Sequence, residues 1–166
     1  QTEKYFKNIE DTIRKAFTFV DEVLQPTTKD FKENFKDTEV ISLHIRRTDY
    51  LTFEHHPVQD LNYYIKALSL LPNDIPVMVF SDDIEWCSKQ DLFQSDRFTL
   101  SIGNSTSVDM CLQTLCTYHI IANSSFSWWG SWLSNSKKTI APKNWSAGPD
   151  ANKDLSDLYL PQWVLI

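Results

Sequence analysis

Glycine is scarce in this sequence, with only Gly103, Gly130 and Gly148 among 166 residues. Their number and spacing exclude a P-loop and a G-x-G-x-x-G turn, both of which bind phosphate through a glycine-rich backbone. No Asp-x-Asp pair occurs either, which argues against a sugar nucleotide held through a metal ion. Any phosphate site in this protein must therefore use side chains and the amino ends of helices.

Long apolar runs, disulfide patterns and an excess of positive charge are also missing. No run approaches the roughly 18 apolar residues of a membrane span, and no signal-like segment opens the chain. Cys87, Cys111 and Cys116 lack metal-ligand spacing, so we predict reduced, buried thiols. The net charge of −6 and the pI of about 5.1 argue against a surface for nucleic acid or anionic membrane.

The sequence is organised around residues 39–50. Val40 to Ile45 is a short apolar run rich in β-branched residues, which is typical of a strand buried on both faces of a parallel sheet. Strand carboxyl ends form the ligand crevice of open α/β sheets, and forked guanidinium donors suit a phosphate. The alternative is that both arginines pair with surface carboxylates. The polar side chains at this strand end are His44, Arg46, Arg47 and Asp49.

Strand and helix patterns alternate over residues 40 to 142. Such alternation predicts an α/β fold with a doubly wound parallel sheet. Residues 1–38 are predicted to form an N-terminal helical segment, with a helix over 4–24 that Pro26 closes. Residues 39–166 are predicted to form a Rossmann-like domain, and the whole chain a single compact unit. The predicted strands are 40–45, 77–80, 97–101, 118–122 and 138–141.

Polar clusters follow three of these strands, at 44–49, 81–83 and 123–127, and parallel strands bring them to one edge of the sheet. Asp82 and Asp83 repel phosphate and instead suit ribose hydroxyls or the N–H groups of a guanine. The alternative is that Ser81 or Asp82 caps the helix that carries Trp86.

The third cluster, Asn123-Ser124-Ser125, comes just before a predicted helix. The free N–H groups of a helix start, helped by serine hydroxyls and an arginine, can hold a diphosphate without a metal. The same residues can serve as an ordinary helix cap at the same time. The helix itself has tryptophans on more than one face, which favours core packing over a sugar-stacking surface.

The stretch His44-Ile45-Arg46-Arg47-Thr48-Asp49-Tyr50 resembles the His-x-Arg-Arg-x-Asp motif of fucosyltransferases. Three further segments resemble later motifs of the α-1,2-fucosyltransferases, glycosyltransferase family 11. They are Ser81-Asp82-Asp83, the run from Ile121 to Gly130, and Ala141-Pro142-Lys143 with Trp145. The resemblance covers residues 40 to 146, and the run Asn-Ser-Ser-Phe-Ser-Trp-Trp-Gly is highly specific.

This resemblance implies the C-terminal, donor-binding half of a GT-B enzyme. Such an enzyme transfers L-fucose from GDP-fucose to a glycan acceptor with inversion and without a metal or other cofactor, α-1,2 to galactose. By motif, Arg46 holds the β-phosphate with help from Arg47, and Asp49 orients the pair. The residues implied in guanine recognition are His44 and Asp82 or Asp83. The residues implied in diphosphate contacts are Ser124, Ser125 and Phe126, and Asn123 is implied as a further donor-binding residue.

Glu54 stands five residues after Asp49, where α-1,6-fucosyltransferases carry a candidate general base. The resemblance therefore implies a catalytic role for Glu54 beside Arg46. The alternative interpretation is a solvated surface glutamate.

Family members also have an N-terminal half-domain with a Gly-Gly-Leu-Gly-Asn-Gln segment, which is not found here. We expect that this partner half is missing and that the isolated chain binds GDP-fucose weakly and transfers little or no sugar. The expected partners are the sugar nucleotide and the glycan acceptor, with no nucleic acid. The competing hypothesis is a non-catalytic carbohydrate- or nucleotide-binding α/β module.

Three Asn-x-Ser/Thr sequences begin at Asn104, Asn123 and Asn144. A glycan on Asn123 would obstruct the predicted donor site. With free thiols as well, the sequence favours a cytoplasmic location, and association with a membrane surface is left open.

Overall fold

The fold is built on a six-stranded sheet, seen in a computed structural model that describes residues 2–36 and 38–166. All five strand pairings are parallel. The strands are β1 (Ile41–Ile45), β2 (Val77–Ser81), β3 (Phe98–Leu100), β4 (Tyr118–Ile120), β5 (Lys138–Ala141) and β6 (Val164–Leu165). Their order across the sheet is β3-β2-β1-β4-β5-β6, the order of a Rossmann-like doubly wound fold, which confirms the predicted fold class.

Six α-helices cover the sheet or precede it. They are α1 (Glu10–Ala16), α2 (Asp21–Phe35), α3 (Leu61–Leu68), α4 (Ile84–Ser88), α5 (Thr106–Leu115) and α6 (Ser125–Leu133). Short 3-10 turns occur at Glu3–Tyr5, Lys7–Ile9, Asp49–Leu51, Asp91–Phe93 and Gly148–Asp150. Within the described residues, no helix is long and apolar enough to cross a lipid bilayer.

Side chains alternate between the two faces of the sheet, as strand geometry requires. On one face, Ile41, Leu43 and Ile45 pack with side chains of α3 and α4 in the largest apolar cluster. On the other face, Met78 and Phe80 pack against α2 and α5. Burying one such side chain contributes about 1.5–3 kcal/mol, so this double coverage is the main source of stability. His44 belongs to the second face, where it reaches α6.

The N-terminal region differs from the predicted single helix over 4–24. The chain leaves α1 at Phe17, and α2 begins at Asp21 and continues through Pro26. A proline removes one backbone donor, here the partner of the Glu22 carbonyl. Both Glu22 and Pro26 are exposed, so water can replace that donor and the helix continues. The prediction that Pro26 closes the first helix is therefore wrong.

The tryptophans of α6 form part of the core, as predicted. Trp128 is fully buried and its Nε1 donates to the Leu158 carbonyl at 2.7 Å. Trp129 stacks between Phe6 and Phe17, with ring centroids 5.5 and 4.8 Å away. The C-terminal tail closes the same cluster.

Two tryptophans anchor that tail, which confirms their predicted role: Trp145 and Trp163 are both buried. The tail also adds β6 to the sheet beside β5. A two-residue strand has too short a pattern to be recognised in the sequence, so β6 was not predicted. The three cysteines are buried and unpaired, as expected.

Close packing of α5 against α6 depends on Gly130. A Cβ at this position would lie 3.0 Å from Gln113 Cβ and still closer to Gln113 Oε1. Gln113 is fully buried, and its amide makes no hydrogen bond among the described residues.

We expect Gly130→Ala to lower the free energy of unfolding by about 1–3 kcal/mol, because the buried Gln113 has little room to move. Urea unfolding measures this. The matched variant Gly130→Ala/Gln113→Ala should recover part of the loss, since it removes the clashing side chain. Additive losses in the double variant would show that this contact does not limit helix packing.

Candidate functional site

Strand register places three polar strand ends side by side. Ile45 of β1 pairs with Ser81 of β2, so Arg46 and Asp82 leave the sheet next to each other. On its other side β1 pairs with β4, which leads into α6. The order of the strands reverses between β1 and β4, and this switch point is where open α/β sheets form their ligand crevice.

A pocket of roughly 310 Å³ opens at this edge. Four of the predicted site residues line it, namely His44, Arg46, Asp82 and Phe126. Five further residues that line it were not predicted, namely Phe80, Ser81, Asn104, Thr106 and Asp109. The other predicted residues lie outside its lining, namely Arg47, Asp49, Glu54, Asp83, Asn123, Ser124 and Ser125.

His44 is the most buried polar group of the pocket, with 5% of its surface exposed. Burial lowers its pKa to about 4, with Asp82 acting in the opposite direction and Arg46 in the same one. The ring is therefore neutral at pH 7 and has one donor and one acceptor nitrogen. Its Nδ1 has no hydrogen-bond partner among the described residues. A buried nitrogen without a partner is unusual, and the His44 side chain belongs to the lining of the pocket.

Arg46 supplies the positive charge of the pocket. Its Nη2 lies 2.7 Å from Asp49, and its Nη1 lies 3.2 Å from Asp82. The guanidinium carbon is also 5.3 Å from the centre of the Tyr50 ring. Asp49 contacts Arg46 as predicted, and it is a solvated partner because 57% of its side chain is exposed. A charge-bearing ligand can therefore replace Asp49 more easily than it can replace a buried carboxylate.

Arg47 has a different environment from its neighbour. Its Nε lies 3.2 Å from Asp83, and its guanidinium carbon is 3.8 Å from the centre of the Trp86 ring. Only 16% of the side chain is exposed. Asp83 also accepts from the Trp86 N–H and so caps α4, in place of the Ser81 or Asp82 cap weighed from the sequence. The geometry makes Arg47 a packing residue behind the pocket.

The start of α6 lies beside the pocket. Ser124 is the N-cap and accepts from the Phe126 N–H at 3.3 Å. Ser125 is exposed in the first turn, and the ring of Phe126 lies 5.5 Å from that of His44. Helix starts carry unpaired N–H groups and a partial positive charge, so this end favours an anion.

Asn123 holds the loops behind α6 together. Its Nδ2 donates to the carbonyls of Pro57 and Trp145, both at 3.0 Å, and its Oδ1 accepts from Gln59 at 3.2 Å. Its exposed fraction is 1%. These bonds engage the whole amide, which fits a structural residue better than the donor contact implied by the resemblance.

Asp109 lines the pocket but was not predicted as a site residue from the sequence. Its Oδ1 accepts from Ser101 Oγ at 2.6 Å, and Asn104 in turn donates to Ser101 Oγ. Burial raises the pKa of this carboxyl group, against the effect of hydrogen bonds from Ser101 and Asn104. A polar run, Asn104 to Ser107, follows β3 just as polar runs follow β1, β2 and β4. A polar run after a strand identified the other clusters, and it could have identified this part of the site as well.

Glu54 is exposed and lies in the loop after Tyr50 rather than in the pocket. The backbone of Gly148 lies close to the Glu54 carbonyl, since a Cβ on Gly148 would come within 2.8 Å of that oxygen. Gly148 also has a φ of +53°, which disfavours any other residue there. A catalytic role for Glu54 stays a prediction.

No group of three His, Cys, Asp or Glu side chains is arranged to hold a metal ion in residues 2–36 and 38–166. The positive charge available to a bound anion in this pocket comes from Arg46 and the start of α6. Freedom from metal stays a prediction of the family resemblance.

The model for glycosyl transferase family 11 matches residues 1–166. An alpha-1,2-colitosyltransferase of Escherichia coli is 39% identical over 178 aligned residues, which cover 100% of this chain and 60% of that protein. The O-antigen biosynthesis glycosyltransferase WbnK of Escherichia coli is 33% identical over 140 residues, covering 78% of this chain and 45% of that protein. The chain thus spans only part of the length of these relatives.

Two solved structures are similar in fold. One is the fucosyltransferase NodZ from Bradyrhizobium, with a TM-score of 0.45 and 18% identity over 67% of this chain and 41% of that chain. The other is NodZ α-1,6-fucosyltransferase soaked with GDP-fucose, with a TM-score of 0.47 and 17% identity over 70% and 43%. Both likenesses are distant.

The two arginines should respond differently to alanine. Arg47→Ala should lower the free energy of unfolding by about 1–3 kcal/mol, because it removes a partly buried ion pair and a cation–π contact. Arg46→Ala should change stability by less than about 1 kcal/mol, since the Arg46 side chain and its partner Asp49 are more exposed. In the complete enzyme, Arg46→Ala should lower transfer at least a hundredfold, as loss of one charge-stabilising donor costs roughly 3 kcal/mol.

Urea unfolding and donor binding, measured on both variants, check whether the two arginines have these different roles. If Arg46→Ala unfolds as easily as Arg47→Ala, or transfers sugar within tenfold of the wild type, Arg46 has no special role at the diphosphate.

Acid should destabilise the protein through His44. Its pKa is 6.5 ordinarily and about 4 in the fold. Below pH 6.5, His44 therefore binds a proton in the unfolded chain but not in the folded chain. The free energy of unfolding falls as the pH drops towards 4. The loss between pH 7 and pH 5 is about 2 kcal/mol for this residue. The variant His44→Gln should lose that part of the pH dependence in urea titrations. An unchanged slope would mean that His44 is protonated in the folded protein.

Proposed function

The chain belongs to glycosyltransferase family 11, and on that basis we propose that its pocket binds the GDP part of an activated deoxysugar, GDP-fucose or a close analogue. The observation that carries this proposal is the convergence of Arg46, the orphaned His44 nitrogen and the start of α6 on one sheet edge. His44 and Arg46 come from the end of β1, the helix start follows β4, and all three suit a nucleoside diphosphate.

The diphosphate would lie between Arg46 and the amino end of α6. A forked guanidinium and free helix N–H groups are complementary to phosphate oxygens in shape and charge. The bound diphosphate would replace the exposed Asp49 on the guanidinium, while the Ser125 hydroxyl adds a further donor. The same groups would stabilise the charge that develops on GDP as its bond to the sugar breaks.

The guanine would be read by Asp109 and His44. Carboxylate oxygens accept well from the N1–H and 2-amino groups of guanine. Asp109 lines the pocket, and Ser101 orients its carboxylate. Asp82 and Asp83 are less suited than the sequence suggested, because both carboxylates already accept several hydrogen bonds within the protein.

The sugar transferred and its linkage are inferred from relatives. One relative is named an alpha-1,2-colitosyltransferase, and colitose is fucose without the 3-hydroxyl group, so fucose and colitose are the two candidate sugars. An acceptor hydroxyl of a glycan, galactose being the candidate, would attack the anomeric carbon, the bond to the β-phosphate would break, and a base would take the proton. Glu54 is the candidate base in this chain.

We further propose that binding needs no metal and that this chain supplies the donor half of a GT-B enzyme. The acceptor and the exclusion of water would depend on a partner half-domain, so the chain alone would bind donor weakly and transfer little. A carbohydrate-binding module that uses the α6 tryptophans is not favoured, because Trp128 and Trp132 are buried.

Calorimetric titration of GDP, GMP and UDP, each with and without EDTA, tests the proposal. We expect GDP to bind at least tenfold more tightly than GMP or UDP, because the other two lack the β-phosphate or the guanine. EDTA should leave the affinity unchanged, since Arg46 and α6 neutralise the charge. Equal affinity for UDP, or binding that vanishes with EDTA, would contradict the proposal.

Two variants separate base from phosphate recognition in the same titration. Arg46→Ala should weaken GDP and inosine diphosphate (IDP) equally. Asp109→Asn should abolish the preference for GDP over IDP, which lacks the 2-amino group. If Asp109→Asn keeps that preference, Asp109 does not contact the guanine edge.

A further inference from the structure

Asp82 gathers hydrogen bonds from three consecutive residues of the loop that leaves β1. Its Oδ1 accepts from the Arg47 N–H at 2.9 Å. Its Oδ2 accepts from the Thr48 N–H at 3.1 Å and from the Thr48 hydroxyl. The Nη1 of Arg46 lies 3.2 Å from the same oxygen. All four donors lie in the Arg-Arg-Thr stretch of the motif, and no other carboxylate among the described residues accepts a backbone N–H of residues 46–48.

A carboxylate offers about four acceptor positions on its two oxygens. On Asp82, Oδ2 receives three of these donors and Oδ1 receives one, so most of its capacity is used within the protein and little remains for a guanine edge. Its side chain is 19% exposed, so water competes weakly with these bonds. Asp82 lines the pocket, but its hydrogen bonds go to the loop.

The neighbouring Asp83 serves a different purpose, which makes the arrangement specific. It caps α4 and pairs with Arg47, and it accepts no backbone N–H from residues 46–48. The two adjacent carboxylates thus pair with different arginines: Asp82 lies beside Arg46, and Asp83 lies beside Arg47.

From this we infer that Asp82 is a positioning residue, which folds the loop at 46–48 and aims the Arg46 guanidinium at the diphosphate of the donor. The inference rests on the proposed function for the identity of that ligand. It assigns Asp82 to the phosphate end of the site, although the family resemblance had placed it at the base. Asp82 acts through Arg46 and does not touch the reacting atoms.

Amide hydrogen exchange in the ligand-free protein tests the loop half of the inference. Asp82→Asn keeps the shape but offers one acceptor oxygen in place of two, so exchange of the Arg47 and Thr48 amides should accelerate at least about tenfold. Amides of β1 should be unchanged. The matched control, Asp83→Asn, should leave the Thr48 amide as in the wild type. Unchanged exchange at both loop amides in Asp82→Asn would overturn the inference, whether or not the protein binds GDP.

Titrations with GDP and IDP test the ligand half. Asp82→Asn should weaken both nucleotides by about tenfold and keep their ratio, because the diphosphate contact is affected and the base contact is not. On an Arg46→Ala background the same change should cost less than about twofold, since the residue it positions is gone. Loss of the GDP preference, or a full tenfold effect without Arg46, would contradict the inference. A wild-type protein that binds no GDP would refute the proposed function, while the exchange measurement would still decide the role of Asp82.

Discussion

Parallel pairing of β1 with β2 on one side and β4 on the other determines where the charges of this protein lie. The register that pairs Ile45 with Ser81 brings Arg46 beside Asp82, and the pairing with β4 brings the start of α6 to the same edge. Side chains in the strands alternate, so His44 faces α6 while Ile45 is packed in the core. A register shift of one residue would exchange these two faces and dismantle both core and pocket.

Neighbouring residues of the same type have different environments in this site. Arg46 lies at the pocket and pairs with the exposed Asp49, whereas Arg47 is mostly buried between Asp83 and Trp86. His44 is held neutral by burial, which suits a residue that has to exchange hydrogen bonds with a ligand rather than neutralise it. Rigid packing of one arginine behind the pocket supports the accessible one in front, and this fits a site that binds an anion by preorganised donors.

Much of the fold could be predicted from the sequence, since buried parallel strands leave short apolar runs that end in polar residues. Predicted strands 40–45, 77–80 and 138–141 agree with β1, β2 and β5 to within one residue. The N-terminal helices were harder, because an exposed Pro26 is tolerated inside α2. The sequence does not show which aspartate pairs with which arginine. Adjacent Arg and Asp pairs are alike in sequence, and only the three-dimensional register decides which side chain reaches the pocket. Asp109 was missed because the polar run that follows β3 was not recognised as a fourth cluster at this edge of the sheet.

We propose that Arg46 and the start of α6 bind one diphosphate together. A crystal structure of the chain with GDP would show whether they do. We expect phosphate oxygens within about 3 Å of both the Arg46 guanidinium and the first N–H groups of α6, with Asp49 released from Arg46. Phosphates bound elsewhere, with Arg46 still paired to Asp49, would contradict it.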